Sequence, residues 1–297
     1  MNTPRDAALN ALRTACRRAG IDASGAESIR FSENAIYRLP KGVVARVTRE
    51  GRFQTAAKEV RVARWLESAG VPAVRVVPDL DQPVEADGRA VTFWRELPPH
   101  EYGTSVDVAA ALRVLHGLTP PAHFELPPLA PFVQLAQRID QADMFTPEEH
   151  DWLRERLEDL ERGYAELPPG LPHRVVHGDA WVGNVLSTGD GRVILADFER
   201  SALGPPEWDL VSTAVKYDTL GGISEDQYAE FVAIYGHDVM SWKGFPVLRD
   251  IRELRMVTMA AQIGMENPAM RGEATARLAA IRGESGPRPW RHWRPLS

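Results

Sequence analysis

The stretch Val175–Arg200 reads VVHGDAWVGNVLSTGDGRVILADFER. Three short apolar runs, Val175–Val176, Val185–Leu186 and Val193–Ala196, alternate with polar segments that carry His177-Gly178-Asp179, Asn184 and Asp197. Runs of this length, rich in valine and isoleucine and bounded by Gly, Asp and Ser, predict strands. Asp179 then lies in a loop just after a strand, and Asp197 closes a buried one. A single aspartate in such a place is ordinary turn chemistry. Two aspartates and an asparagine at these intervals, each held by a stiff apolar segment, suit phosphoryl transfer. That reaction needs a group to orient the acceptor hydroxyl, oxygen donors for a divalent metal on the phosphates, and positive charge on the group that moves. Asp179 can accept the hydroxyl proton. Asn184 and Asp197 offer the hard oxygen ligands that Mg²⁺ takes.

The flanking sequence separates into two kinds of chain. Thr3-Pro4, with Asp6 at the third position and Gly20 as the stop, predicts a leading helix over residues 1–20. AIYRLPKGVVARV predicts a hairpin around Pro40-Lys41-Gly42. A helix follows over 54–69, with Gly70 and Pro72 beyond it, then strands at Val74–Val77 and Arg89–Arg95 with Asp87-Gly88 turning into the second. Beyond ELPPHEYGTS the character is helical. Ser105 is expected to cap a helix to Leu118, and Thr146-Pro147-Glu148-Glu149 to start another that carries Trp152, Leu153, Leu157, Leu160 and Tyr164. Helices follow near 206–217, 224–235, 246–262 and 268–281. The expected organisation is an N-terminal lobe over 1–95, a hinge over 96–99 and a C-terminal lobe over 100–297.

The 297 residues are ample for a buried core, with a hydrophobic share of 44% and a charged share of 26%. A net charge of −6 argues against a broad nucleic-acid footprint. The single cysteine, Cys16, excludes an intrachain disulfide and a thiolate metal cluster. No run approaches the roughly 18–20 apolar residues of a membrane helix, and the first residues lack a signal-peptide core. The chain reads as cytoplasmic, with no membrane or nucleic-acid partner.

His177-Gly178-Asp179-x-x-x-x-Asn184, followed by Ile194-Leu195-Ala196-Asp197-Phe198 and then LGPPEWDL, resembles the aminoglycoside phosphotransferase and choline kinase superfamily. The resemblance implies an α+β, bilobal protein-kinase-like fold: a small antiparallel sheet lobe with one long helix, and a larger, mainly helical lobe. It implies a small-molecule kinase that uses ATP and Mg²⁺. Asp179 would be the catalytic base, Asn184 and Asp197 the metal ligands, and Asp209 a brace for the catalytic loop, with His177 shaping that loop. FSENAIYRL fits the loop over the phosphates, through Ser32 and Asn34. Arg46 takes the place of the more usual lysine, with Glu59 as its partner, and arginine's flat fork makes contacts that an ammonium does not. The backbone at Glu96 and Leu97 would bind adenine. Glu199, after Asp-Phe, would face the metal through water or the substrate.

The acceptor is expected to be a small-molecule hydroxyl, aminoglycoside-like in the first reading. Glu207, Asp218, Glu225, Asp226, Glu230, Glu253 and Glu266 are the carboxylates available to a polycation. A choline, ethanolamine or amino-sugar kinase is the alternative, with Tyr217, Trp208 and Trp242 as aromatic walls. A nucleotide-binding pseudokinase is the alternative of another class. His116 reads as a packing and hydrogen-bonding residue at a helix end, and the tail PRPWRHWRPLS as a segment docked on the larger lobe.

Overall fold

The computed structural model describes residues 3–293. In chain order the elements are α1 (Pro4–Ala19), β1 (Glu27–Phe31), β2 (Ala35–Leu39), β3 (Val43–Glu50), α2 (Phe53–Ser68), β4 (Val84–Ala86), β5 (Arg89–Arg95) and β6 (His100–Tyr102). There follow α3 (Ser105–His116), α4 (Leu135–Gln141), α5 (Pro147–Ala165), β7 (Arg174–Val176), β8 (Val185–Thr188), β9 (Val193–Leu195) and β10 (Ala202–Gly204). The last helices are α6 (Glu207–Asp218), α7 (Glu225–Tyr235), α8 (Phe245–Glu266) and α9 (Arg271–Ile281). The chain is thus α+β, and it divides into two compact units. The first comprises the chain up to Asp107 with Leu118–Leu126 and Val182–Ser201; the second comprises Val108–Gly117, Pro127–Trp181 and the chain from Ala202 onward. No helix among the described residues is long and apolar enough to cross a membrane.

The first unit is built on a five-stranded antiparallel sheet in the order β1-β2-β3-β5-β4. Side chains alternate across it. Ala45 and Val47 of β3 and Val91 and Phe93 of β5 join a buried cluster with Ala8, Ala11, Leu12, Ala15 and Cys16 of α1. Arg46, between Ala45 and Val47, faces the other way and bonds Glu59 of α2. Thr3 and Asp6 form the expected capping box on α1, and Gly20 closes it in the left-handed conformation at φ 68°. The expected hairpin is formed, turning through Lys41 and Gly42 at φ 63° and 70°. A second sheet, β6-β8-β9, carries the two later apolar runs of the quoted stretch, with Val185 opposite Leu195.

Val74–Val77 is not the strand that its composition predicts. It makes only single bridges, Ala73 to Leu195 and Val76 to Trp94. Val74 N–H bonds Leu195 O, while Val77 N–H bonds Phe93 O, so the segment divides its bonds between two sheets. Pro72 and Pro78 on either side have no N–H to extend a ladder. The edge strand β1 escaped the reading because four of its five residues are exposed, which leaves no alternation to detect. Thr104, not Ser105, caps α3: its N–H and hydroxyl bond Asp107 at 2.7 and 2.8 Å.

In the second unit α8 is the hub, packing on α4, α5, α6 and α9. Thr146 and Glu149 form a capping box on α5, and Ser224 and Gln227 one on α7. β7 pairs with β10, Val176 opposite Ala202. The tail docks within this unit: Trp290 and Trp293 are buried, and Arg288 bonds Glu253 at 2.7 and 2.6 Å. Its last four residues, 294–297, lie outside the described residues.

Phe93 is fully buried between α1 and the sheet. Phe93→Ala is expected to lower unfolding free energy by about 3–5 kcal/mol in urea denaturation. A loss under about 1 kcal/mol would show that this cluster is not the core of the first unit.

Candidate active site

In the second unit, β7 delivers His177-Gly178-Asp179. Gly178 sits at φ 83°, a region where a side chain is strained, so the chain turns there at glycine. The turn is held by Asp209, in the first turn of α6. Its carboxylate accepts the backbone N–H groups of His177 at 2.6 Å and Gly178 at 2.8 Å. Trp208, its neighbour, donates from its indole nitrogen to Gly178 O at 2.9 Å. His116 Nε2 stands 3.0 Å from Asp209 and its Nδ1 2.8 Å from the Tyr235 hydroxyl. Burial works to raise the Asp209 pKa. The His116 hydrogen bond and charge, with His177 and its N–H, outweigh it and hold the carboxyl below its usual range. Asp209 thus ties the backbone of this turn to α6, with His177 fully buried beside it. Asp179 itself is 39% exposed, with Arg252 Nη1 at 3.7 Å.

Arg252, beside Asp179, does not stand out in the sequence. It lies in the charged run RDIRELR of α8, which reads as a solvated face; yet it is 9% exposed. Its guanidinium lies 4.1 Å over the Trp208 ring. That contact also removes Trp208 as a wall for a cationic acceptor. Tyr217 is stacked on Tyr228 at 5.0 Å, so one of its faces is taken as well.

The first unit holds the other residues. Asn184 closes a short 3₁₀ turn just before β8, and its carbonyl accepts Ala196 N–H at 3.0 Å. That bond continues the β8–β9 ladder and sets Asn184 beside the end of β9, one residue before Asp197. Asp197 has φ 64°, a left-handed conformation that costs a non-glycine residue roughly 1–3 kcal/mol, less for aspartate than for most. Its side chain is 41% exposed. A carboxylate and an amide side chain at neighbouring strand ends are a hard-oxygen pair that fits Mg²⁺, which keeps its remaining positions for water and phosphate.

Arg46 is the centre of a charged cluster. Its Nη1 bonds both oxygens of Glu59 at 2.7 and 2.9 Å, and its Nη2 bonds Glu199 at 3.3 Å. Asp197 is 3.9 Å away. With the Asn34 amide oxygen turned to the guanidinium, Asn34 accepts from Nη2 at 2.7 Å and Nε at 3.0 Å. All three guanidinium nitrogens are therefore engaged, which a lysine ammonium at this position could not reproduce. Three carboxylates face this one guanidinium, with Arg52 3.6 Å from Glu199. Burial pushes Glu59 up to about 7, against the pull of Arg46. Burial would lower Arg46, but Glu59, Asp197 and Glu199 raise it and keep it charged. Lys58 of α2 donates to Ser201 O at 3.0 Å, so the helix grips the segment that carries Asp197 and Glu199 from two positions.

Ser32 is exposed and ties the β1–β2 turn through its N–H to Asn34 O at 3.1 Å. Glu96 donates its N–H to Gly42 O at 2.8 Å and its carboxylate accepts from Arg38 Nε at 2.6 Å. Leu97 follows it, half-buried.

Residues 31–251 match the Phosphotransferase enzyme family. No curated protein matches the sequence significantly. Among solved structures, an amicoumacin kinase in complex with AMP-PNP, Ca²⁺ and Ami is similar with a TM-score of 0.68 at 16% identity, over 96% of each chain. A choline kinase from Streptococcus pneumoniae gives 0.63 at 15% identity, over 90% of this chain and 97% of that one. An aminoglycoside phosphotransferase from Streptomyces rimosus gives 0.58 at 21% identity, over 82% and 98%. At these identities the likeness speaks for the fold, and its members share the protein-kinase-like architecture.

Glu59 gives a pH test. Its folded pKa, about 7, is raised above the ordinary 4.5. Its contribution is therefore fully present below pH 4.5 and is lost as pH rises through about 7. Relative to Glu59→Gln, the native chain is expected to lose unfolding free energy across that window. A difference that stays flat or grows with pH would contradict the buried, proton-retaining Glu59.

Proposed function

The chain belongs to the phosphotransferase enzyme family, and from that premise we propose that it moves the γ-phosphoryl group of ATP to a hydroxyl of a small molecule, with Mg²⁺ as the metal. Asp179 is the catalytic base in this reading. It orients the acceptor hydroxyl and takes its proton as the oxygen attacks phosphorus. Asn184 and Asp197 hold the metal, which when bound supplies positive charge on the phosphates. Arg46, positioned by Glu59 and Glu199, faces the same phosphates, with Ser32 and Asn34 covering them and the backbone at Glu96 and Leu97 receiving adenine. His177 and Asp209 keep the loop in shape. Residues 1–95 would form the nucleotide lobe, 96–99 the hinge and 100–297 the catalytic and acceptor lobe.

The observation that carries the reading is the grip on the loop. Both N–H groups ahead of Asp179 are fixed to one buried carboxylate, while the Asp179 side chain stays 39% exposed. A base for an incoming hydroxyl needs that combination of rigid backbone and open carboxylate. A pseudokinase needs neither.

For the acceptor, an aminoglycoside-like polyhydroxylated amine is favoured over choline. Of the three aromatic side chains that could box a quaternary ammonium, Trp208 is covered by Arg252 and Tyr217 has one face against Tyr228. Of the carboxylates suited to a polycation, Glu207 and Glu253 are buried, whereas Glu225, Asp226, Glu230 and Glu266 are exposed.

The test is ADP release with Mg·ATP across aminoglycosides, choline, ethanolamine, amino sugars, macrolides and nucleosides. Transfer to an aminoglycoside or amino sugar, at about 1–100 per second on a good substrate and abolished in Asp179→Ala, is the expected result. Equal turnover in Asp179→Ala would remove Asp179 as the base. Transfer to choline alone would overturn the acceptor reading.

A further inference from the structure

The geometry points to Arg252 as a positioning residue for Asp179, one that sets how its carboxylate meets the acceptor hydroxyl. The inference rests on the reading of Asp179 as the base.

An aspartate carboxylate turns readily about χ2, because that torsion is broad. Asp179 is 39% exposed, so packing alone does not lock it. The backbone clamp stops short of this side chain: Asp209 holds the N–H groups of His177 and Gly178, and Trp208 holds Gly178 O. Arg252 reaches the carboxylate itself, with Nη1 3.7 Å from Oδ1.

Arg252 is well suited to act as a fixed charge. It is 9% exposed, projects from the hub helix α8, lies 4.1 Å from the Trp208 ring centre, and donates from Nη2 to Trp208 O at 2.9 Å. Stacking and a directed hydrogen bond on one planar group leave its fork little freedom. Trp208 thus links the two halves of the device. Its indole nitrogen ties Gly178, and its ring and carbonyl orient the guanidinium that meets Asp179. With Oδ1 drawn toward Arg252, the carboxylate is held in one setting as the hydroxyl arrives. The proton from the acceptor goes to Asp179, and Arg252 exchanges none.

Two substitutions separate this role from plain packing. Arg252→Ala removes the charge and leaves a cavity that a guanidinium ion can enter. Arg252→Lys keeps a charge and the aliphatic stem. A single ammonium cannot stack on Trp208, bond its carbonyl and reach Asp179 together. On the acceptor identified for the native chain, both variants are expected to lose kcat, about 10- to 100-fold for alanine and less for lysine. Acceptor KM and AMP-PNP affinity should stay within about twofold of native, the mark of an interaction used in the chemical step. Millimolar guanidinium, but not sodium chloride at equal ionic strength, should restore part of the kcat of Arg252→Ala. Native kcat in a folded Arg252→Lys, or a loss that guanidinium does not touch and that follows the melting temperature, would overturn the positioning role alone. A native chain that transfers phosphoryl to neither an alcohol nor water would overturn the base assignment and this role with it. Should Arg252→Ala fail to fold, the lysine variant decides.

Discussion

The buried carboxylate of Asp209 is the constraint on which the candidate catalytic loop depends. A fully buried charge is tolerated only when hydrogen bonds replace water. Asp209 collects two backbone N–H groups and His116, and the N–H groups it takes are those of the two residues that precede Asp179. The need to satisfy one carboxylate and the need to hold a loop are met by the same bonds, each worth roughly 1.5–3 kcal/mol to a charged acceptor. The turn at Gly178 follows from it. Only a glycine reaches φ 83° without strain, and that conformation lets successive N–H groups converge on one acceptor.

The first unit meets the same kind of problem differently. Arg46 lies among Glu59, Asp197 and Glu199, so acidic groups outnumber the central cation. Glu59 answers by holding a proton more tightly than an exposed carboxyl does. Asp197, the most exposed of the three, keeps an open face at 41%. A divalent cation at Asn184 and Asp197 would offset the remaining negative charge, so the electrostatics of the cluster and the proposed metal site support one another. Arginine in place of lysine also acquires a reason. Its three nitrogens hold Glu59, Glu199 and Asn34 at once, joining helix α2, the residue after Asp-Phe and the β1–β2 turn.

Much of this was legible in the residues. Capping boxes at Thr3, Thr146 and Ser224 lie where Ser/Thr-x-x-acid/amide patterns place them, because those bonds are local. The spacing of Asp179, Asn184 and Asp197 was readable because short strands impose it. What escaped is what sequence distance hides. Arg252 lies 73 residues from Asp179, in a run that looks solvent-facing, and only the packing of α8 shows that it is buried. Trp208 and Tyr217 read as possible ligand walls, since their neighbours Arg252 and Tyr228 come from other helices. Val74–Val77 has strand composition, but two prolines and two competing sheets deny it a ladder.

The central claim is a division of labour between two aspartates, one for chemistry and one for the metal. Calorimetric titration with AMP-PNP, with and without Mg²⁺, addresses it directly in the native chain, Asp179→Asn and Asp197→Asn. The account predicts that Asp179→Asn binds Mg·AMP-PNP as the native chain does, and that Asp197→Asn loses the Mg²⁺-dependent part of the affinity. Equal Mg²⁺ dependence in all three, or its loss in Asp179→Asn alone, would contradict it.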